Sequence, residues 1–146
     1  MLELIVVLAM VGIVVAIIGP RASRAVQRAR LDRAATIVAN DLESAFALAA
    51  RQRKPVRLTR GTATGTVQYT LAVRSTGTAL LTRHLGRGTE FSLTSIAFSQ
   101  NVIDFFPTGR SSQPLNVTLT ATTGTRCVTM TRAGFVRVLP ATSACN

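Results

Sequence analysis

"MLELIVVLAMVGIVVAIIGPR", residues 1–21, decides how the rest of the chain is read. From Leu4 to Ile18 no residue is charged or strongly polar. With its flanks the run approaches the roughly 20 apolar residues that cross a bilayer as a helix. A buried helix of a soluble domain normally keeps a polar face, and this run has none. No basic stretch precedes it and no Ala-x-Ala pattern closes it, so it is not a secretory signal peptide of the usual form. Glu3 is the residue to explain. A carboxylate at the membrane interface costs little, but deeper in the bilayer it needs a partner. The backbone amine of a neighbouring chain is one such partner, because pairing neutralises both charges.

Outward from this run, the helical pattern continues. Pro20 removes a backbone donor and kinks a helix without always ending it. Beyond it, Val26, Ile37, Val38, Leu42, Ala45, Phe46 and Ala49 recur at steps of three and four, which gives one apolar face. Arg28 and Asp32 are spaced as i,i+4 partners on another face. Pro55 pushes its predecessor out of the α region and closes the pattern. The spacing predicts a helix from Leu2 to Gln52, about 75 Å long at 1.5 Å per residue. Its first half is apolar all round. Its second half is amphipathic and must pack on something.

That something reads as β structure. "PVRLTR", "TVQYTLAVR", "TALLTRHL", "FSLTSIAF", "VIDFF", "LNVTLTA", "RCVTMT" and "FVRVL" alternate with period two and are rich in β-branched residues. Glycines at 61, 65, 77, 86, 88, 109, 124 and 134 punctuate them. Seven or eight short strands at this spacing imply an antiparallel sandwich or folded sheet with one face covering the helix. The anchor meets the domain inside the helix, near Arg21 to Arg24.

The 146 residues suit one domain with an appended segment, and 47% of them are hydrophobic. The formal net charge is +11, carried by arginines and Lys54. A field of that sign draws polyanions, anionic lipid and acidic partners, although charge alone names none of them. Cys127 and Cys145 are too few for a disulfide scaffold and wrongly spaced for zinc. They are free thiols in a reducing compartment and a possible staple in an oxidising one. The positive-inside rule would place the arginine-rich flank at Arg21, Arg24, Arg28, Arg30 and Arg33 in the cytoplasm. The β-rich part with two cysteines argues for the outside.

The first stretch resembles the N-terminal helix of type IV pilins and type II secretion pseudopilins. In that class two apolar residues precede a Glu, a long apolar helix follows, and a Pro stands seventeen residues after the Glu. Met1, Leu2, Glu3 and Pro20 fit that spacing. The class also has a leader ending in Gly, then Phe-Thr, before the two apolar residues. Those are missing here, which suggests a start codon assigned at an internal Met. The resemblance implies that Glu3 neutralises the N-terminal amine of an adjacent subunit during filament assembly. It also implies a cytoplasmic N-terminus and a domain outside. For Cys127 and Cys145 that oxidising setting favours a bridge, worth roughly 3 kcal/mol for a loop of this length.

Little in the sequence supports catalysis. His84 is the only histidine, and no Ser, Cys or paired carboxylate is spaced to use it. Of six acidic residues, Glu3 lies in the apolar run, and Asp32, Asp41 and Glu43 lie on the helix, solvated or paired with nearby arginines. Glu90 and Asp104 stand alone. Gly86-Arg87-Gly88 lacks the strand-to-helix context of a phosphate loop. The sequence predicts no enzyme, no cofactor and no metal site.

The last third adds a second resemblance. "FFPTGRSSQPLNVTL" and "CVTMTRAGFVRV" are similar to the shared domain of GspH-type minor pseudopilins and FimT-type minor pilins. Phe106, Pro107, Gly109 and Arg110 match that family's aromatic-Pro-x-Gly-Arg turn. Gly134 and Arg137 match its final Gly-Arg-x-Arg strand, with Phe135 in place of the first Arg. In the FimT branch this strand is associated with DNA binding in natural transformation. Arg126, Arg132, Gly134, Phe135 and Arg137 are the matching candidate residues, and an exposed Phe135 could stack on a base. Alternation puts Phe135 and Arg137 on one face and Val136 and Val138 on the other.

The sequence therefore predicts an α+β pilin fold, with a long N-terminal helix packed on an antiparallel β-sandwich-like domain. Residues 1–20 form the transmembrane or filament-core half of the helix, 21–53 its amphipathic half, and 54–146 a GspH/FimT-like globular domain. The expected role is a minor pilin or pseudopilin of a type II secretion pseudopilus or type IV pilus, with a DNA-binding minor pilin as the alternative. The resemblance implies that Glu3 and Pro20 are the assembly residues. The implied partners are other pilins in a filament, the inner membrane, prepilin peptidase acting on the full-length precursor, and DNA in the alternative reading. The expected location is the bacterial inner membrane, single-pass, with the domain extracytoplasmic, and a filament after assembly.

Overall fold

The computed structural model describes residues 2–61, 67–140 and 145; within its helix, the side chains of residues 2, 4 and 13–21 lie outside the description. One unbroken helix, α1, runs Leu2–Gln52, the span expected from the apolar and amphipathic patterns. It ends with Arg53 in the left-handed region, φ 50°, and Pro55 follows. Residues 22–30 are exposed throughout. Among the described residues no helix is long and apolar enough to cross a membrane, and residues 13–21 fall outside that statement.

Among the described residues eight strands follow: β1 Val56–Arg60, β2 Gln68–Val73, β3 Ala79–His84, β4 Ser95–Phe98, β5 Val102–Phe105, β6 Leu115–Ala121, β7 Gly124–Met130 and β8 Val136–Pro140. They form two four-stranded antiparallel sheets, in the orders β3-β2-β1-β5 and β4-β6-β7-β8. Alternation decides which residues enter the core. In β2 Tyr69, Leu71 and Val73 are buried, and in β6 Leu115, Val117 and Leu119. Tyr69 of the first sheet meets Phe98 of the second edge to face, with ring centroids 6.0 Å apart.

The upper part of α1 lies across both sheets, touching β6, β7 and β8 of one and β1 and β5 of the other. Leu31, Ala34, Ala35, Val38, Leu42, Ala45 and Ala49 are its buried face. The small alanines let the strands approach closely, and Phe46 packs edge to face on Phe105 at 4.9 Å. Fully burying each Leu or Val of this face contributes about 1.5–3 kcal/mol.

Three local expectations change. Val26 was placed on the apolar face but is 51% exposed, because the domain begins one turn higher, at Leu31. Asp32 does not pair with Arg28; it accepts from Arg126 of β7, 94 residues away. Of "FSLTSIAF", only Ser95–Phe98 is a strand. Phe91 and Leu93 are buried in the turn before it, where Ser92 has φ 47°.

A disulfide joins Cys127 of β7 to Cys145, with Cα atoms 5.9 Å apart. Val128 and Met130 point into the core, so alternation puts Cys127 on the sheet's other side, where it is fully buried.

Candidate functional site

Three groups of residues carry features beyond packing: the lower end of α1, the ties that fix α1 to the sheets, and a basic patch at the β7–β8 turn. At the lower end, Glu3 is exposed in the first turn of α1, and Ile5, Leu8 and Met10 are each more than 60% exposed. A single chain leaves this apolar surface uncovered, with one carboxylate at its tip. Pro20 lies within the helix, in the stretch whose side chains fall outside the described residues.

The second group centres on Asp41, which sits on the buried stripe three residues after Val38 and is 7% exposed. In the β2–β3 register Tyr69 faces Arg83, and both side chains turn to the helix. Tyr69 Oη donates to Asp41 Oδ2 at 2.5 Å. Arg83 donates through Nε and Nη2 to the two carboxylate oxygens at 2.8 Å each, a bidentate fork. Burial, with Asp41 beside it, lifts the Tyr69 phenol above its ordinary range. The hydrogen bond to Asp41 raises the Arg83 guanidinium further. A second tie runs to the other sheet. Arg126 Nε donates to Asp32 Oδ1 at 2.5 Å, and Thr122 Oγ1 donates to Gln27 Oε1 at 3.2 Å. Within the first sheet, Asp104 of β5 holds Arg57 at 2.7 Å and Arg74 at 3.5 Å.

The third group joins the two motif turns. In the Phe106–Arg110 turn, Phe106 N donates to Arg110 O and Gly109 N to Phe106 O. In the Thr131–Phe135 turn, Gly134 N donates to Thr131 O and Thr131 N to Phe135 O. Ser111 N donates to Arg132 O at 2.9 Å and ties the turns together. Gly134 needs to be glycine on two counts. Its φ is +82°, and a Cβ there would stand 3.2 Å from the Phe46 ring. A cleft of about 330 Å³ lined by Arg110, Ser111, Ser112, Arg132 and Ala133 lies between the turns. Phe135 is 56% exposed, and the Arg137 guanidinium stacks 4.8 Å from its ring centroid.

Of the residues matched to the Gly-Arg-x-Arg strand, Phe135 and Arg137 are therefore in contact, with Gly134 forming the turn beneath them. Arg132 sits at the same turn. Arg126 stands apart: it shares a face with Val128 and Met130 and is turned to Asp32 of the helix. The sequence placed Asp41 on the helix as solvated or paired with a nearby arginine; its partners are Arg83 and Tyr69, both from the sheet, and its place on the apolar stripe was the signal that it had to be paired.

His84 lines an open cavity of about 550 Å³ with Val67, Gly86, Arg87, Thr89 and Leu93. Among the described residues no three His, Cys, Asp or Glu side chains gather as a metal site.

The family model described as "Type II transport protein GspH" matches residues 34–134. No curated protein matches the chain significantly. Among solved structures, the type IV minor pilin FimU of Pseudomonas aeruginosa is similar, with TM-score 0.61 and 18% identity over 77% of this chain and 90% of that one. The minor pseudopilin EpsH from the type 2 secretion system of Vibrio cholerae is similar too, with TM-score 0.56 and 14% identity over 78% of this chain and 99% of that one. At these identities the structural likeness is one of fold.

Proposed function

This chain belongs to the GspH family and has the role of a minor pilin or pseudopilin, and from that premise we propose that it is a structural subunit of a type II secretion pseudopilus or type IV pilus. In this reading the lower half of α1 holds the subunit in the inner membrane, with the domain outside, until it enters a filament beside other pilins. Its full-length precursor is a substrate of prepilin peptidase. The supporting observation is the division of labour along α1. The upper half is part of the domain core, and the lower half exposes Ile5, Leu8 and Met10 with Glu3 at the tip. An apolar rod of this kind needs lipid or other rods around it.

The test replaces Glu3 by Ala in the full-length gene in its own host and follows the protein in membrane and sheared-filament fractions. Glu3→Ala should keep its membrane level and disappear from the filament fraction. Incorporation at the wild-type level would remove Glu3 from assembly.

One observation favours a second reading, a DNA-contacting minor pilin. The exposed Phe135 ring, stacked by Arg137 and neighboured by Arg132 and Arg110, combines an aromatic platform with cations, as single-strand binders do. A salt titration of DNA binding by the full chain in maltoside micelles tests it. Each cation at a phosphate adds about one to the slope of log K against log salt, so Arg137→Ala should flatten it by about one. Equal slopes in the two proteins would exclude Arg137.

A further inference from the structure

We propose that the cleft between the lower part of α1 and the β3–β4 loop binds a phosphate group. The cleft has a volume of about 320 Å³ and is lined by Gln27, Arg30, Arg87, Phe91, Thr94 and Thr122, among others. Its lining holds two cations, and of its hydroxyls those of Ser92 and Thr122 already donate, to Thr89 O and Gln27 Oε1. Arg30 and Arg87 form no ion pair among the described residues. Gln27 accepts from the Thr122 hydroxyl through Oε1, which leaves its amide N–H groups as donors. Thr94 adds a hydroxyl.

Among the described residues no carboxylate lines the cleft. Asp32 is held by Arg126, and Glu90 is held by Arg33 at 3.4 Å. Two guanidinium forks, an amide and a hydroxyl without an anion define the complement: a compact ligand with several acceptor oxygens and negative charge. Inorganic phosphate presents four oxygens to these groups, and a phosphodiester or a carboxylate presents two anionic oxygens.

The place of the cleft suggests where the phosphate comes from. Arg24, Gln27 and Arg28 continue downward the helix face that carries Leu31, Ala35 and Val38, by steps of three and four. The face changes from apolar to basic where the domain ends. Arg24 and Arg28, like Arg30, are exposed and unpaired among the described residues. Arg24 follows Pro20 by four residues, about 6 Å along the axis, and a headgroup layer is about 5–7 Å deep; Gln27 and Arg30 of the cleft stand about 10 and 15 Å beyond Pro20, above that layer. Helical side chains lean toward the N-terminus, so Arg28 and Arg30 reach down toward that layer. A lipid phosphodiester and a free phosphate are thus the two sources of one chemistry. The lipid source rests on the anchor reading of α1, and the free phosphate does not.

The full chain in dodecyl maltoside micelles, which contain no phosphate, is titrated with inorganic phosphate and separately with dihexanoyl phosphatidylglycerol. Binding is followed by phosphorus NMR. Three variants accompany the wild type: Arg30→Gln, Arg87→Gln, and Arg51→Gln as an exposed cation at the far end of α1. Arg30 and Arg87 are exposed, so thermal melts of their variants should match the wild type. Saturable binding of either probe, weakened about tenfold or more by Arg30→Gln and by Arg87→Gln but not by Arg51→Gln, supports the site. Phosphatidylglycerol alone identifies the lipid source, and inorganic phosphate alone the free one. No saturation by either probe, or equal weakening by all three variants, overturns the proposal. Saturation by an acidic hexapeptide and by neither phosphate probe also overturns it and gives the cleft to a protein neighbour.

Discussion

Removing the Asp41 carboxylate should be the most damaging single polar change in the domain. Asp41→Ala leaves the Tyr69 hydroxyl buried without its acceptor and Arg83 without its counterion. A buried hydroxyl or amide stripped of its partner costs about 1–3 kcal/mol. Breaking a fully buried ion pair from one side costs about 3–5 kcal/mol. The Arg83 side chain is 33% exposed, so water recovers part of the second loss. The two together come to about 3 kcal/mol, or a fall of roughly 10 °C in Tm for a chain of this size. Thermal and urea unfolding of the full chain in maltoside micelles would read it, with Glu43→Ala as an exposed control on the same helix. Tyr69→Phe alone should cost about 1 kcal/mol, and the double variant should cost less than the sum, since both changes break the same hydrogen bond. A loss under about 1 kcal/mol for Asp41→Ala, or strict additivity in the cycle, would show that the Asp41–Tyr69–Arg83 tie does not hold the helix.

Three further outcomes are expected. Gly134→Ala must adopt φ +82° and press its methyl into Phe46, so it should lose at least about 1 kcal/mol in denaturant unfolding, while Gly88→Ala, with φ +90° and open space, pays only the backbone term. Reducing the Cys127–Cys145 bond should lower stability by about 3 kcal/mol, measured as a shift in urea midpoint with and without reductant. The raised pKa of Tyr69 gives stability that is complete below about pH 10, the unfolded value, and declines as pH rises beyond it, because the unfolded chain then binds fewer protons. Tyr69 is the only tyrosine, so tyrosinate absorbance reads it directly: it should appear together with loss of the far-ultraviolet helix signal, and Tyr69→Phe should flatten this alkaline limb.

How much of this was legible depends on the range of the interaction. The helix was readable to its ends, because apolar composition, three- and four-residue steps and Pro55 are all local signals. The strands were readable as elements, because alternation survives wherever one face is buried. Their partition into two sheets was not, since β1 takes β5 as its second neighbour and nothing near Val56 or Val102 says so. The ion pairs were least legible. Arg28 was the obvious mate for Asp32 in sequence, yet Arg126 wins from another element because the β7 register delivers its guanidinium to the helix. Asp41 looked like one more helical carboxylate until Tyr69 and Arg83 arrived across it. At the β7–β8 turn the motif residues were identifiable, but the stacking of Arg137 on Phe135 and the seat of Gly134 against Phe46 needed the folded chain.

The two ties of α1 also have a mechanical meaning. Asp32 is fastened to one sheet and Asp41 to the other, nine residues or about 13 Å apart along the helix. A pull on the lower end of α1, parallel to its axis, does not peel these contacts one after another. It loads both at once in shear, as two rivets share the tension on a plate, with the alanine-rich seam between them sliding only if both give way together. A lateral pull would instead reach Asp32 first and leave Asp41 to hold alone. The two contacts thus share a pull along the helix and meet a pull across it one at a time.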